Sequence, residues 1–457
     1  MTTPRRPFAL LLCLALLAAG APVAAAHPVQ PPGRAEGSAP LASAIMPGSV
    51  NRTSYNLHAT YAVSAGIVVG TGVVRVTTTI TARNDSGAGI DRLELNTIAA
   101  RLGHISITYG AVDGTPVTVK ISDQTLVVPL GGILPAGATV VVKVGYKGTL
   151  KNSLSGSNWL FTRYGGTISL YRWIPWVSVA RPFDRPNHGD PFVTPSSPQV
   201  SVKLVLDKPR ILAAPVAGLS TAASKSWTFT ARDVRDVAIV LASDFTVSSR
   251  SVNGIAIRAY SRPGGVSGST LADKARAALA SEAARVGVAY PWPSFTAVET
   301  KGGYGMESPG LVWIPANTAS SNLSYLVYHE TAHQWFYGLV GNDQWKEPFA
   351  DEAAADLLAR TVLGNLRSSR CATDALDRRI TQYSSSCYYE TIYIQGSKVL
   401  NGFRSTMGTS LFWNTVADYV QTYRHKLGGT KKLLDMLDAA SPTDLGPTLR
   451  ARFPALY

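Results

Sequence analysis

Near residue 250 the spacing of apolar side chains changes period, and no other feature of the chain limits its fold as strongly. Before that point apolar residues recur at every second position. Val74, Val76, Ile80 and Ala82 alternate with Arg75, Thr77, Thr79, Thr81 and Arg83, and Val200, Val202, Leu204 and Leu206 alternate with Ser201, Lys203, Val205 and Asp207. Successive side chains of a strand point to opposite faces, so such runs between Gly, Pro, Asn and Asp clusters predict an antiparallel β-sandwich over 48–250. Val140-Val141-Val142-Lys143-Val144 is expected to be one of its strands, stopped by Gly145 and a turn at Lys147-Gly148. Beyond 250 the pattern predicts helices over 271–286, 322–338, 348–363, 391–407 and 410–426, the first stopped by Gly287 and Pro291. Strands over 295–300 and 311–314 complete this half. Strands first and helices afterwards imply an all-β domain followed by an α+β domain over 251–457.

The N-terminus carries Arg5-Arg6, an apolar run from Phe8 to Ala19, and Ala24-Ala25-Ala26 before His27. Charge, short apolar stretch and small-residue exit describe a cleavable signal peptide over 1–26, and so a secreted or extracytoplasmic protein. Residues 27–47, rich in Pro, Ala, Gly and Ser, are expected to form a flexible lead-in. Removal of the leader leaves 41 basic and 29 acidic residues. This excess is spread along the chain, which excludes a nucleic-acid stripe but suits weak association with anionic envelope polymers. The mature sequence has no 18-residue apolar run, so no transmembrane span is expected. Its two cysteines, Cys371 and Cys387, are expected to pair in an oxidising compartment.

The chemistry concentrates in His329-Glu330-Thr331-Ala332-His333, which holds two of only seven histidines. Residues four apart lie one above the other on a helix, so both imidazoles can reach one cation, while Glu330 is placed to hold a water without ligating. A catalytic zinc needs a third protein ligand and an open position. Eighteen residues intervene before Glu352, enough for the helix to end and a second, acid-bearing one to return. Glu347 and Asp351 are rival third ligands. Asp356, one turn beyond Glu352, is expected to orient a ligand imidazole.

These residues resemble the zinc site of the aminopeptidase N (membrane alanyl aminopeptidase) family of gluzincins. Gln334-Trp335-Phe336 is similar to that family's continuation, Gly305-Met306-Glu307 to its exopeptidase motif, and Tyr393-Ile394-Gln395-Gly396 to its Tyr-x-Lys-Gly segment. The resemblance implies a thermolysin-like catalytic domain with a helical C-terminal part. It implies one zinc per chain on His329, His333 and Glu352, with Glu330 as general base. It also implies Glu307 as carboxylate for the substrate's free α-amine, beside Gly305 and Met306, and Tyr393 as oxyanion donor. Ser308 and Gln395 depart from the family's Asn and Lys. The interval from Glu352 to Tyr393 is shorter than the family's, leaving Tyr388 and Tyr389 as rival donors. The implied activity is an exported zinc aminopeptidase acting on peptides with a free N-terminus. Its rivals are a zinc endopeptidase with the same site and a secreted binding protein with a structural or vestigial metal site. The chain ends at Tyr457 without the large helical domain that many relatives carry, so an open cleft is expected.

Overall fold

The computed structural model describes residues 44–181, 183, 192–368, 371–384 and 386–457. The stretch 1–26, read above as a signal peptide, lies outside them, as does most of the stretch 27–47. The end of the lead-in is pinned rather than loose. Met46 and Ile133 exchange both backbone hydrogen bonds at 2.8 Å.

Sheets fill the first half of the chain. Leu57–Val68 pairs antiparallel with Val73–Asn84, which pairs antiparallel with Thr139–Thr149. The alternation seen in the sequence is the alternation of burial: Val74, Val76, Ile80 and Ala82 are buried on one face. These strands form the middle of a ten-stranded sheet, opposed by a four-stranded one that contains Ile90–Asn96, Thr125–Leu134 and Trp176–Val177. Tyr61 on the large sheet stacks on Trp176 of the small one, with ring centroids 4.1 Å apart. Its hydroxyl accepts from the Val177 N–H at 3.1 Å.

Two expectations are corrected. The large sheet is not purely antiparallel, since Leu57–Val68 runs parallel to Val200–Ala213. Nor does the strand at 140–144 stop at Gly145. It continues to Thr149 because Val73 to Arg83 offers it an unbroken partner from Thr149 to Thr139.

A five-stranded sheet follows, ordered Thr246–Val252, Ile255–Ser261, Ser294–Thr300, Leu311–Pro315 and Met306–Ser308. A division at 250 therefore cuts its first strand. Ser294–Thr300 has parallel neighbours on both sides and is buried at every position, as a strand covered on both faces must be. Helices cover this sheet and build the rest of the molecule. Numbered after the single-turn α1 (Ile98–Leu102), they are α2 (Gly268–Val286), α3 (Ser320–Ala332), α4 (Ala354–Leu363), α5 (Gly396–Met407), α6 (Thr409–Thr422), α7 (Thr430–Ala440) and α8 (Gly446–Arg452). α2 ends at Gly287, whose left-handed φ of 74° suits a residue without Cβ. Among the described residues no helix is long and apolar enough to cross a membrane.

One predicted helix, 322–338, is shorter than its apolar pattern. The chain leaves α3 after Ala332, and Gln334–Leu339 forms a wide turn in which Phe336 and Tyr337 are not helical. Phe349–Ala353 and Glu390–Gln395 are wide helical turns continuous with α4 and α5, so the helices expected over 348–363 and 391–407 are present. Such one-turn expansions re-aim side chains and recur at functional sites. Here each one borders the same buried cluster of polar groups.

Candidate metal centre

His329 and His333 project from α3 with their Nε2 atoms 3.2 Å apart. Glu352, from the wide turn before α4, brings Oε2 to 3.3 Å from each of them. All three side chains are buried. Donors 3.2–3.3 Å apart occupy the corners of a tetrahedron with bonds of about 2.0 Å, the length of a zinc–imidazole bond. The donor set fits zinc in number, type and spacing.

Charge points the same way. Glu307, Glu330, Asp351 and Glu352 are all buried around two imidazoles, a gathering of acids whose ionised forms need a cation. Burial works against a charged His333, yet the carboxylates of Asp351, Glu307 and Glu352 outweigh it and raise its pKa well above the ordinary value. Burial also opposes ionisation of Glu352, but the two imidazoles outweigh it and hold that carboxyl well below the usual range.

The turn after α3 explains how His333 is aimed. Gly338 N–H bonds back to the His333 carbonyl at 2.7 Å, so the helix stops at the second ligand. Gln334 then crosses to the Met306–Ser308 strand, accepting from the Gly310 N–H at 2.8 Å and donating to the Ser308 carbonyl at 3.1 Å. The Nδ1 of His333 is left facing Asp351 Oδ1 at 2.7 Å.

Asp351, not Asp356, is therefore the acid that orients a ligand imidazole. An ideal helix would rotate Asp351 about 100° away from Glu352, whereas the wide turn lets both face inward. Asp356 instead accepts from the Tyr325 hydroxyl at 2.6 Å and pairs with Arg360 at 3.1 Å. Glu347, the other rival third ligand, accepts from the Thr430 N–H at 2.9 Å and takes no place among the donors.

Glu330 lies next to the ligands, and burial pushes its carboxyl up to about 7. It is so close to Gly305 that a Cβ there would lie 2.1 Å from its Oε1, which is why that position has no side chain. Glu307 follows on the strand Met306–Ser308, with Met306 half-buried beside it. Carboxylate and imidazole atoms of Glu307, Glu330 and His333 lie within 4.8 Å of one another. Burial raises the Glu307 pKa well above the usual carboxylate value, and the acids nearby add to that.

Tyr393 stacks on His329, with centroids 5.4 Å apart and planes at 28°. Burial raises its hydroxyl pKa, and Glu352, to which that hydroxyl donates, raises it further. Tyr389 is committed elsewhere, to Tyr325 and Arg367. Tyr388 is buried and packs edge-on to Tyr393. Cys371 and Cys387 form a disulfide. Gln395 reaches back to that loop, donating to the Ala372 carbonyl at 2.9 Å and accepting from Arg452 at 2.8 Å. Ser308 donates to Asp236, which also accepts from the Tyr337 hydroxyl.

One residue escaped the sequence reading. Gln344 donates to Asp351 and, at 3.3 Å, to Glu307 Oε1, linking the metal end of the cluster to the strand. It belongs to no motif; only the fold brings it there.

Comparison with known proteins agrees with this geometry. Residues 272–385 match the peptidase family M1 domain. A mutant M1 zinc metallopeptidase from Deinococcus radiodurans superposes with a TM-score of 0.68 at 18% identity, covering 90% of this chain and 96% of its own. The unmutated enzyme gives 0.65 at 20% identity, covering 87% and 93%. A mutant bound to a Tyr-Ser-Ala substrate gives 0.65 at 18%, covering 90% and 96%. No curated protein matches the sequence. Residues 272–385 carry a peptidase family M1 domain, which makes the protein a zinc-dependent metallopeptidase, and His329, His333 and Glu352 are the group that fits its metal.

Proposed function

We propose that this metallopeptidase is an exported aminopeptidase, removing residues one at a time from the N-terminus of peptides. The observation that carries the reading is the place of Glu307. Its carboxylate is buried within 4.8 Å of groups on Glu330 and His333, on a strand edge held by Gln344 and Gln334. A buried carboxylate one step from the reacting centre is a counter-ion for a substrate ammonium. A chain whose amine is already acylated would leave it unpaired, at a cost. The Deinococcus radiodurans relative binds a tripeptide, and a two-domain M1 relative binds L-tryptophan.

A bound zinc supplies an activated water and polarises the scissile carbonyl. Glu330 takes a proton from the nucleophile and returns it to the leaving amine. The Tyr393 hydroxyl, ordered by the stack on His329, donates to the developing oxyanion, a contribution of roughly 3 kcal/mol for one such donor. Glu307, with Gly305 and Met306 on the same edge, fixes the distance from the amine to the metal and so the bond that is cut. Export rests on the leader at 1–26, and the β-rich part up to the five-stranded sheet is read as a separate N-terminal domain. The spread of basic residues suits weak adhesion to anionic envelope polymers.

The test is Glu307→Ala with aminoacyl reporter substrates and their N-acetylated forms. The unsubstituted enzyme should cleave the free-amine forms and ignore the acetylated ones, and chelation should abolish turnover. The substitution should raise KM for free-amine substrates about tenfold or more, since a buried charged pair is lost. Equal cleavage of acetylated and free substrates would instead identify an endopeptidase.

A further inference from the structure

We infer that Arg367 recognises a carboxylate on the leaving side of the substrate, so that short peptides with a free C-terminus are preferred over amidated ones. The inference rests on the aminopeptidase reading above, because it takes the direction of the bound chain from Glu307.

That direction is set along α3. Tyr325, His329 and His333 follow one another at four-residue intervals, one helical turn each. Glu307 and Gln344 gather at the His333 end, through Asp351. A substrate with its amine on Glu307 therefore runs past the metal ligands toward Tyr325. At that end an open cavity of about 450 Å³ begins. Gly305, against Glu330, is part of its wall, so it adjoins the reacting centre directly. Tyr325 lies on the same wall, its ring 5.5 Å from that of His329.

Of the described side chains lining this cavity, Arg367 alone is charged. Its guanidinium sits 5.3 Å from the Tyr389 ring centroid and 5.7 Å from that of Tyr325. One N–H donates to the Tyr389 hydroxyl. A guanidinium carries five donors, so four remain for a ligand. The nearest acid on this network, Asp356, is already paired with Arg360. No ion pair of Arg367 with an acid occurs among the described residues. Two aromatic faces and a hydroxyl thus hold a cation over an open cavity lined by no negative charge, a planar fork fitted to a carboxylate. A peptide terminus and an acidic side chain on the leaving side offer the same carboxylate chemistry.

The experiment measures binding to the zinc-loaded Glu330→Gln protein, which holds peptides without turning them over. The ligands are Ala-Ala-Ala, its C-terminal amide, the amide of Ala-Glu-Ala, and N-acetylated Ala-Ala-Ala. The acid should bind about three- to tenfold tighter than the amide, the range for a partly exposed to well-ordered charged pair. Adding Arg367→Gln should bring that ratio near one, and Arg367→Lys should keep part of it. Preference for the Ala-Glu-Ala amide over the Ala-Ala-Ala amide would assign the contact to a side-chain carboxylate. Equal binding of all three free-amine peptides, or an acid preference that survives Arg367→Gln, would overturn the inference. The acetylated arm reports on Glu307 alone. Its failure to lose affinity would strike the aminopeptidase reading and leave the acid-to-amide ratio to be read separately.

Discussion

Asp351 is placed to set how firmly a metal is held. It accepts from His333 Nδ1, fixing both the tautomer and the tilt of a ring that has only one nitrogen to offer the cation. Asp351→Asn keeps the shape but removes the charge, and it can present a donor where an acceptor is needed. Zinc affinity should fall ten- to a hundredfold, measured by competition with a chromogenic chelator. An unchanged dissociation constant would mean that the Phe336 carbonyl, 3.1 Å from the same nitrogen, suffices to orient the ring. The two imidazoles were readable from spacing, because histidines four apart need only helix geometry to meet, whereas Glu352 was singled out from Glu347 and Asp351 by the family resemblance. Asp351 was not readable, since its inward direction depends on a turn wider than an α-helix.

At the scale of elements, the segment that carries Tyr393 owes its position to contacts made upstream. The Cys371–Cys387 disulfide closes a loop just before the wide turn Glu390–Gln395. The Cys371 N–H donates to Glu390 Oε2 at 3.0 Å. Gln395 bonds the Ala372 carbonyl from the other end of that turn. Closing a loop of this length restricts the unfolded chain by about 3 kcal/mol. Replacing both cysteines by serine should lower unfolding free energy by roughly that amount in chemical denaturation, while zinc stoichiometry is retained. Stability equal to that of the parent in non-reducing buffer would show that Gln395 and Arg452 hold the segment without the bond. The Gln that stands where relatives have Lys therefore has a structural task here, as does Ser308, anchored on Asp236.

Across the whole molecule, one buried cation joins the strand-rich and helical parts beneath the metal centre. Arg235 donates to the Thr194 carbonyl at 2.6 Å, to the Gly338 and Leu339 carbonyls at 3.3 and 3.2 Å, and to the Lys426 carbonyl at 3.3 Å. Two of these carbonyls belong to the turn that ends α3 at His333. Burial pulls the guanidinium pKa down to about 10, which leaves it charged at neutral pH. Arg235→Leu strands several buried acceptors, so a loss of about 3 kcal/mol or more is expected. Differential scanning calorimetry should show a lowered melting temperature, and an unmoved transition would deny Arg235 this joining role.

Local periodicity alone settled which stretches are strands or helices, and it placed two imidazoles within reach of one cation. Those are short-range properties, governed by how side chains alternate on a strand or stack on a helix. The fold decided what depends on distant parts of the chain meeting. It set a parallel pairing inside the large sheet, the turn that cuts α3 short, the wide first turns of two later helices, Asp351 behind His333, and Gln344 across to Glu307. Each of these is fixed by hydrogen bonds between groups far apart in sequence, and no local pattern encodes a partner that lies elsewhere.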